Sequence, residues 1–129
     1  MAIRVWDETA PGAQSEGTAI SLTAGHTTVR ALLRSRVRQE VEHYNRNLPE
    51  TFRGLVQPEE SEQVLNGFRL KDRRALDWDV QFRRACSSFE KNGFLVFIDG
   101  RQVTELDTPV DLSNDSEIRF LKLVPLVGG

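Results

Sequence analysis

"EIRFLKLVPLVGG", residues 117–129, decides how the rest of the chain is read. Its first half alternates. Ile118, Phe120 and Lys122 fall on one face; Arg119, Leu121 and Leu123 fall on the other. That period of two predicts a strand. Pro125 has no amide to donate, so the strand is expected to stop there. Leu126, Val127, Gly128 and Gly129 then predict an extended strip projecting from the domain. Glycines without side chains allow such a strip to enter a narrow channel. The final carboxylate of such a strip is accessible to an enzyme.

Working back, "FLVFIDGRQV" (94–103) is the strongest strand signal in the chain, and its Asp99-Gly100 pair predicts a tight hairpin turn. "TELDTPVDLSNDSE" (104–117) is rich in turn residues, with a short return segment expected over Pro109–Leu112. Asp111 and Asp115 are placed in turns, where acids commonly bond local amides.

At the other end, "AIRVW" (2–6) and "TAISLTAG" (18–25) alternate and predict two strands of a hairpin, with Ile20 and Leu22 on one face. "DETAPGAQSEG" (7–17) between them has the composition of a loop. The period then changes. Over "HTTVRALLRSRVRQEVEHYNRN" (26–47), Val29, Leu32, Leu33, Val37, Val41 and Tyr44 share one helical face. Thr27 or Thr28 is the expected N-cap, and Arg30, Arg34 and Arg38 are expected on the solvated side.

Residues 47–93 are broken by Pro49, Gly54, Pro58 and Gly67. "PEESEQVL" (58–65) predicts a short helix, with proline at its first position and acids in its first turn. "KDRRALDWDVQFRRACSSFEKNG" (71–93) predicts a longer one, with Ala75, Trp78, Phe82, Ala85 and Phe89 as a stripe packed over a sheet. Asn92-Gly93 is expected to end it, with the glycine left-handed. Cys86 beside the stripe is expected to be a small buried hydrophobe.

The order is strand, strand, helix, inserted segment, strand, short return, strand. This predicts an α+β fold: a mixed sheet of four to five strands with a helix across one face, plus an inserted helical segment. At 129 residues a single domain is expected. A formal net charge of −2 argues against a nucleic-acid partner. No apolar run approaches the roughly 18 residues of a membrane span, so no membrane partner is expected. "MAIRVWDETA" lacks the pattern of a signal peptide, which makes the cytoplasm the expected location. A lone cysteine cannot form an internal disulfide. Lys71, Lys91 and Lys122 are the only lysines among 17 basic residues.

Catalytic signatures are missing. There is no phosphate-binding glycine loop. His26 and His43 lack metal-ligand spacing, and Asp77 and Asp79, two apart on a helix, do not face each other. No metal, no cofactor and no self-contained enzyme is expected.

The sequence resembles the ubiquitin-like β-grasp proteins, nearest the prokaryotic sulfur carriers: the small subunit of molybdopterin synthase and the thiamine-pathway sulfur carrier. In that family a "TV.ELL"-like helix start follows the first hairpin, as "TTVRALL" (27–33) does here. A "V.VNG"-like turn corresponds to "FIDG" (97–100). A closing "D.PL.DGDEV.F.PPV.GG"-like segment corresponds to "DTPVDLSNDSEIRFLKLVPLVGG" (107–129). The likeness covers residues 1–45 loosely and 94–129 well. Residues 47–93 have no counterpart in the minimal family members, and the family's acidic turn is "SNDSE" here.

The resemblance implies a single β-grasp domain over 1–129, with an insertion at about 47–93 and a flexible tail at 125–129. It implies a ubiquitin-activating-like adenylating enzyme as partner, bound on the sheet face. That partner would join the Gly129 carboxylate to the α-phosphate of ATP and then pass it to sulfur, with Gly128 giving clearance and Leu126 and Val127 giving apolar anchorage in its channel. A sulfur carrier would next serve a sulfur-acceptor enzyme. The alternatives are a protein modifier joined to target lysines and a non-conjugated binding module.

Overall fold

The computed structural model describes residues 1–9, 13–65 and 67–123. Strand β1 (Ala2–Thr9) is an inner strand of the main sheet. On one side it pairs antiparallel with β2 (Ala13–Glu16) and, nearer its start, with β3 (Ile20–Ser21). On its other side it pairs parallel with β10 (Glu117–Lys122), with Val5 opposite Ile118 and Thr9 opposite Lys122. β10 pairs antiparallel with β7 (Phe94–Ile98), and β7 with β8 (Arg101–Val103). The order is therefore β2-β1-β10-β7-β8, with β3 beside β1. The fold is α+β with a mixed sheet and two helices.

Strand residues replace much of the loop expected over 7–17. Asp7, Glu8 and Thr9 extend β1, and Ala13–Glu16 pairs with them. Composition misleads here because the polar residues gain cross-strand partners: Gln14 donates to Glu8 at 2.9 Å. The hairpin turn of β7 and β8 is as expected, with Asp99 at φ 49° and Gly100 at φ 83°.

Helix α1 (Val29–Asn47) crosses one face. Thr28 is the N-cap, its hydroxyl accepting from the Ala31 amide at 3.2 Å. All six stripe residues are buried, and Arg30, Arg34 and Arg38 are exposed. Strand β4 (His26–Thr28), just before the helix, pairs with β9 (Pro109–Asp111). Asp111 therefore sits in a strand rather than a turn, and that pairing ties the helix start to the return segment.

The stretch 47–93 differs most from expectation. Residues 58–65 form no helix. Glu60 is left-handed at φ 51°, which breaks a helix, and β5 (Ser61–Val64) pairs with β6 (Gly67–Leu70). The segment had no apolar stripe to bury as a helix, and Leu65 is 89% exposed. The second helix, α2 (Trp78–Glu90), starts later than the 71 expected. Asn45 of α1 holds Leu76 by two hydrogen bonds, donating to its carbonyl at 2.9 Å and accepting from its amide at 2.8 Å. Asp77 then caps the helix, accepting from Asp79 and Val80. Ala75 falls outside the helix and is exposed. At the far end the left-handed residue is Asn92, at φ 60°, rather than Gly93.

Two apolar clusters result. The first joins the sheet (Ile3, Val5, Ile20, Phe94, Val96, Ile118, Phe120) to the start of α1 (Val29, Leu32, Leu33) and to Phe89. The second joins the end of α1 (Val37, Val41, Tyr44) to Phe52, Leu70 and Ala85, with Trp78 and Phe82 against it. The α2 stripe was expected over a sheet. It packs largely on α1 instead, and only Phe89 of that stripe and partly buried Phe82 reach the sheet cluster.

Candidate functional site

Pro125, Leu126, Val127, Gly128 and Gly129 lie outside the described residues. The site is therefore built from the end of β10, where the chain leaves for that segment, and from the sheet around it. The parity of β10 is as predicted: Ile118 and Phe120 are fully buried under α1, and Arg119 and Leu121 face the other way. Leu123, just past the strand, is 43% exposed.

The face of the sheet away from α1 carries Trp6, Leu95, Phe97 and Leu121, all partly exposed and belonging to neither apolar cluster. Arg119 sits among them. It forks onto Glu8 at 2.9 and 3.2 Å and stacks over Phe97 at 5.2 Å from the ring centroid. An apolar patch centred on a held arginine has the make-up of a protein-binding surface, where aromatics and arginine are enriched.

On the helix side, the same strand ends in a charged cluster that sequence reasoning missed. Arg36 of α1 has a side chain only 8% exposed. It donates to both carboxylate oxygens of Asp7, at 2.6 and 2.9 Å, and to Glu40 at 3.3 Å. Its guanidinium also lies 4.3 Å from the ring centroid of Phe120. Glu40 accepts from the Leu55 amide at 3.3 Å. Lys122, the last residue of β10, donates to the Gly54 carbonyl at 3.2 Å.

Burial dominates the protonation of this cluster. It pushes the Glu40 carboxyl above its usual range, outweighing Arg36, Lys122 and the Leu55 amide. It pulls the Lys122 ammonium below its usual range, helped by Arg36 and opposed by Asp7 and Glu40. For Arg36 burial also works against the charge, but Glu40 and Asp7 outweigh it and hold the pKa up. The sequence signal was available in part. Arg36 falls on the apolar side of α1, and Asp7 continues the inward parity of Ile3 and Val5. Only the pairing of β1 with β10 brings Lys122 to them.

The remaining candidates do not join this site. Nδ1 of His26 lies 2.5 Å from Asp111, but both side chains are exposed. His43 is exposed on α1. Cys86 is buried, and burial pushes its thiol up, away from the thiolate form. Among the described residues no group of three or more His, Cys, Asp or Glu side chains could hold a metal ion. No helix among them is long and apolar enough to cross a membrane. A groove of about 410 Å³ lies between Val56-Gln57 and Arg84, Ser87, Ser88 and Lys91 of α2 and its cap. It holds no charge-relay or metal-ligand arrangement among the described residues.

No protein-family model matches the chain, and searches of curated proteins and of solved structures found no match.

Proposed function

We propose that the protein is a ubiquitin-like β-grasp carrier whose reactive group is the Gly129 carboxylate. The observation that carries this reading is the sheet. Its order is β2-β1-β10-β7-β8, with first and last strands parallel and α1 packed across after the first hairpin. That arrangement supports the β-grasp likeness of "TTVRALL" and of the closing "PLVGG".

The chemistry belongs to an adenylating partner. The Gly129 carboxylate oxygen attacks the α-phosphate of ATP, pyrophosphate leaves, and an acyl-adenylate remains. A hydrosulfide-level sulfur nucleophile then attacks the acyl carbon. The C–S bond forms, the C–O bond to AMP breaks, a proton is released, and a thiocarboxylate results. The open face around Trp6, Phe97, Arg119 and Leu121 is the surface offered to the partner, and Leu126 and Val127 seat the strip in its channel. The carrier itself holds no cofactor and acts as substrate.

A second reading is favoured by the lysines. Only three are present, and Lys122 is partly buried, leaving Lys71 and Lys91 exposed. A modifier that ends in isopeptide bonds to other proteins gains from few acceptors of its own. In that case a partner thiol displaces AMP to give a thioester, and a target lysine amine then displaces the thiol.

Intact mass of the protein from its native host tests both. A chain ending at Gly129 with one sulfur replacing one oxygen supports the carrier. Gly-Gly remnants on lysines of other proteins support the modifier. A native chain that continues past Gly129 in every form isolated, or one whose deletion of Gly128-Gly129 changes no adduct, refutes the proposal.

A further inference from the structure

The inserted segment touches the end of β10 at two points. The first is the Lys122 ammonium, which donates to the Gly54 carbonyl. The second is the backbone of the next residue: the Leu123 amide donates to the Gly93 carbonyl at 3.3 Å, while the Gly93 amide donates to Ser88 of α2 at 2.8 Å. One contact belongs to the segment before the β5–β6 hairpin and the other to the exit of α2. The last two described residues thus meet both ends of the insertion, the second contact continuing the β7–β10 ladder one rung past Phe94 and Lys122.

The first contact is built in from several sides. Gly54 is fixed by the second apolar cluster, since a Cβ there would lie 2.1 Å from the Phe52 ring. Its neighbour Leu55 is held by Glu40, Glu40 by Arg36, and Arg36 by Asp7 of β1. The charged groups around Lys122 are thus Asp7 from β1 and Arg36 and Glu40 from α1, two acids and two bases in all. The insertion contributes only backbone to them. A partly buried lysine that answers one carbonyl is poor stabilisation, because an apolar side chain of like volume often serves as well or better. What the lysine adds is direction: it ties the strand end to one point of the insertion.

We infer that the insertion is a brace that fixes where and in which direction the chain leaves β10, with Lys122 as the positioning residue. Its effect on the reactive strip rests on the function proposed above. Small misplacements of a reacting group carry large rate penalties, and about 1 Å can cost on the order of a hundredfold. A brace at the root of a short strip reduces the search that its far end must make.

The test compares Lys122→Met and Lys122→Arg in the full chain. Lys122→Met is expected to keep or raise the melting temperature. It is also expected to speed hydrogen exchange at the Leu123 amide about tenfold, with Val96 in the core unchanged. Lys122→Arg, which can still donate to Gly54, is expected to restore slow exchange. In the native host, the fraction of chain carrying the sulfur exchange or found in conjugates is expected to fall about tenfold for Lys122→Met and to recover for Lys122→Arg. Unchanged Leu123 exchange in Lys122→Met overturns the brace. Faster exchange with unchanged adduct yield overturns the positioning role. A wild-type chain with no adduct of either kind sinks the functional reading alone, and Leu123 exchange then still decides the brace. If Lys122→Met does not fold, Lys122→Gln, polar but too short to hold the Gly54 carbonyl, replaces it. It is expected to give the same faster exchange at Leu123, and slow exchange there overturns the brace.

Discussion

The two ends of helix α1 serve different masters. Its first turns, Val29, Leu32 and Leu33, pack on the sheet. Its last turns, Val37, Val41 and Tyr44, pack on Phe52, Leu70 and Ala85 from the stretch 47–93. At about 1.5 Å per residue the 19-residue helix is roughly 28 Å long, and its last turns cluster with no residue of the main sheet. An apolar stripe that runs past its sheet must be buried elsewhere, and Phe52, Leu70 and Ala85 bury it. The first cluster depends on strands far apart in sequence. The second depends on neighbours of the helix.

If the two clusters are unequal in this way, their largest residues should fail differently. Phe120 is fully buried in the first cluster, between Phe94 and the Arg36 guanidinium. Phe120→Ala is expected to cost about 4 kcal/mol and to lower protection throughout the sheet, read by chemical denaturation and hydrogen exchange. Phe52 meets Tyr44 edge-on at 5.3 Å in the second cluster. Phe52→Ala is expected to cost about 3 kcal/mol, with exchange rising first in β5, β6 and the last turns of α1. Equal loss of protection in both regions would merge the clusters into one cooperative unit.

The comparison can be sharpened at the shared helix. Thr28→Ala removes the cap from the end that serves the sheet, at a cost of about 1 kcal/mol. Exchange is expected to rise at Ala31 and not at Tyr44.

The smallest expected effect is one of slope. Glu40 sits where the clusters meet, with its folded pKa raised above the usual 4.5. The folded state therefore binds this proton more tightly than the unfolded state. The stabilisation it brings is complete below 4.5 and is lost as pH rises through the raised folded value. Glu40→Gln removes the contribution, so its denaturation midpoint is expected to vary less with pH over that window than the wild type's. A steeper dependence in the variant would mean that the charged form is the one the fold favours.

Much of this was legible beforehand, and the pattern of what was not is physical. The α1 stripe, a cap at Thr27 or Thr28, the Asp99-Gly100 turn and the parity of β10 follow from local chemistry, and the structure bears them out with Thr28 as the cap. The β5–β6 hairpin was read as a helix because Pro58 and the acids after it match a helix start. What decides that segment is the Phe52 pairing with Phe68, a contact no local window contains. The start of α2 was misplaced because Asn45, on another helix, holds Leu76 extended. Of the site, the closing glycines stood out in the sequence. Of the open face, alternation gave only Arg119 and Leu121 of β10, and the Arg36–Asp7–Glu40–Lys122 cluster needed the parallel pairing of β1 and β10.

That pairing has a consequence for synthesis. β1 leaves the ribosome long before β10, its parallel partner, is made. Until β10 emerges, β1 offers an unpaired edge beside Val5 and β7 offers another beside Val96. Contacts of such long sequence separation form slowly. The growing chain can assemble α1 with the inserted helix and hairpin well before its sheet can close. Loss of β10 in a truncated chain would therefore leave two sticky edges on a half-folded body, an aggregation hazard out of proportion to the few residues removed.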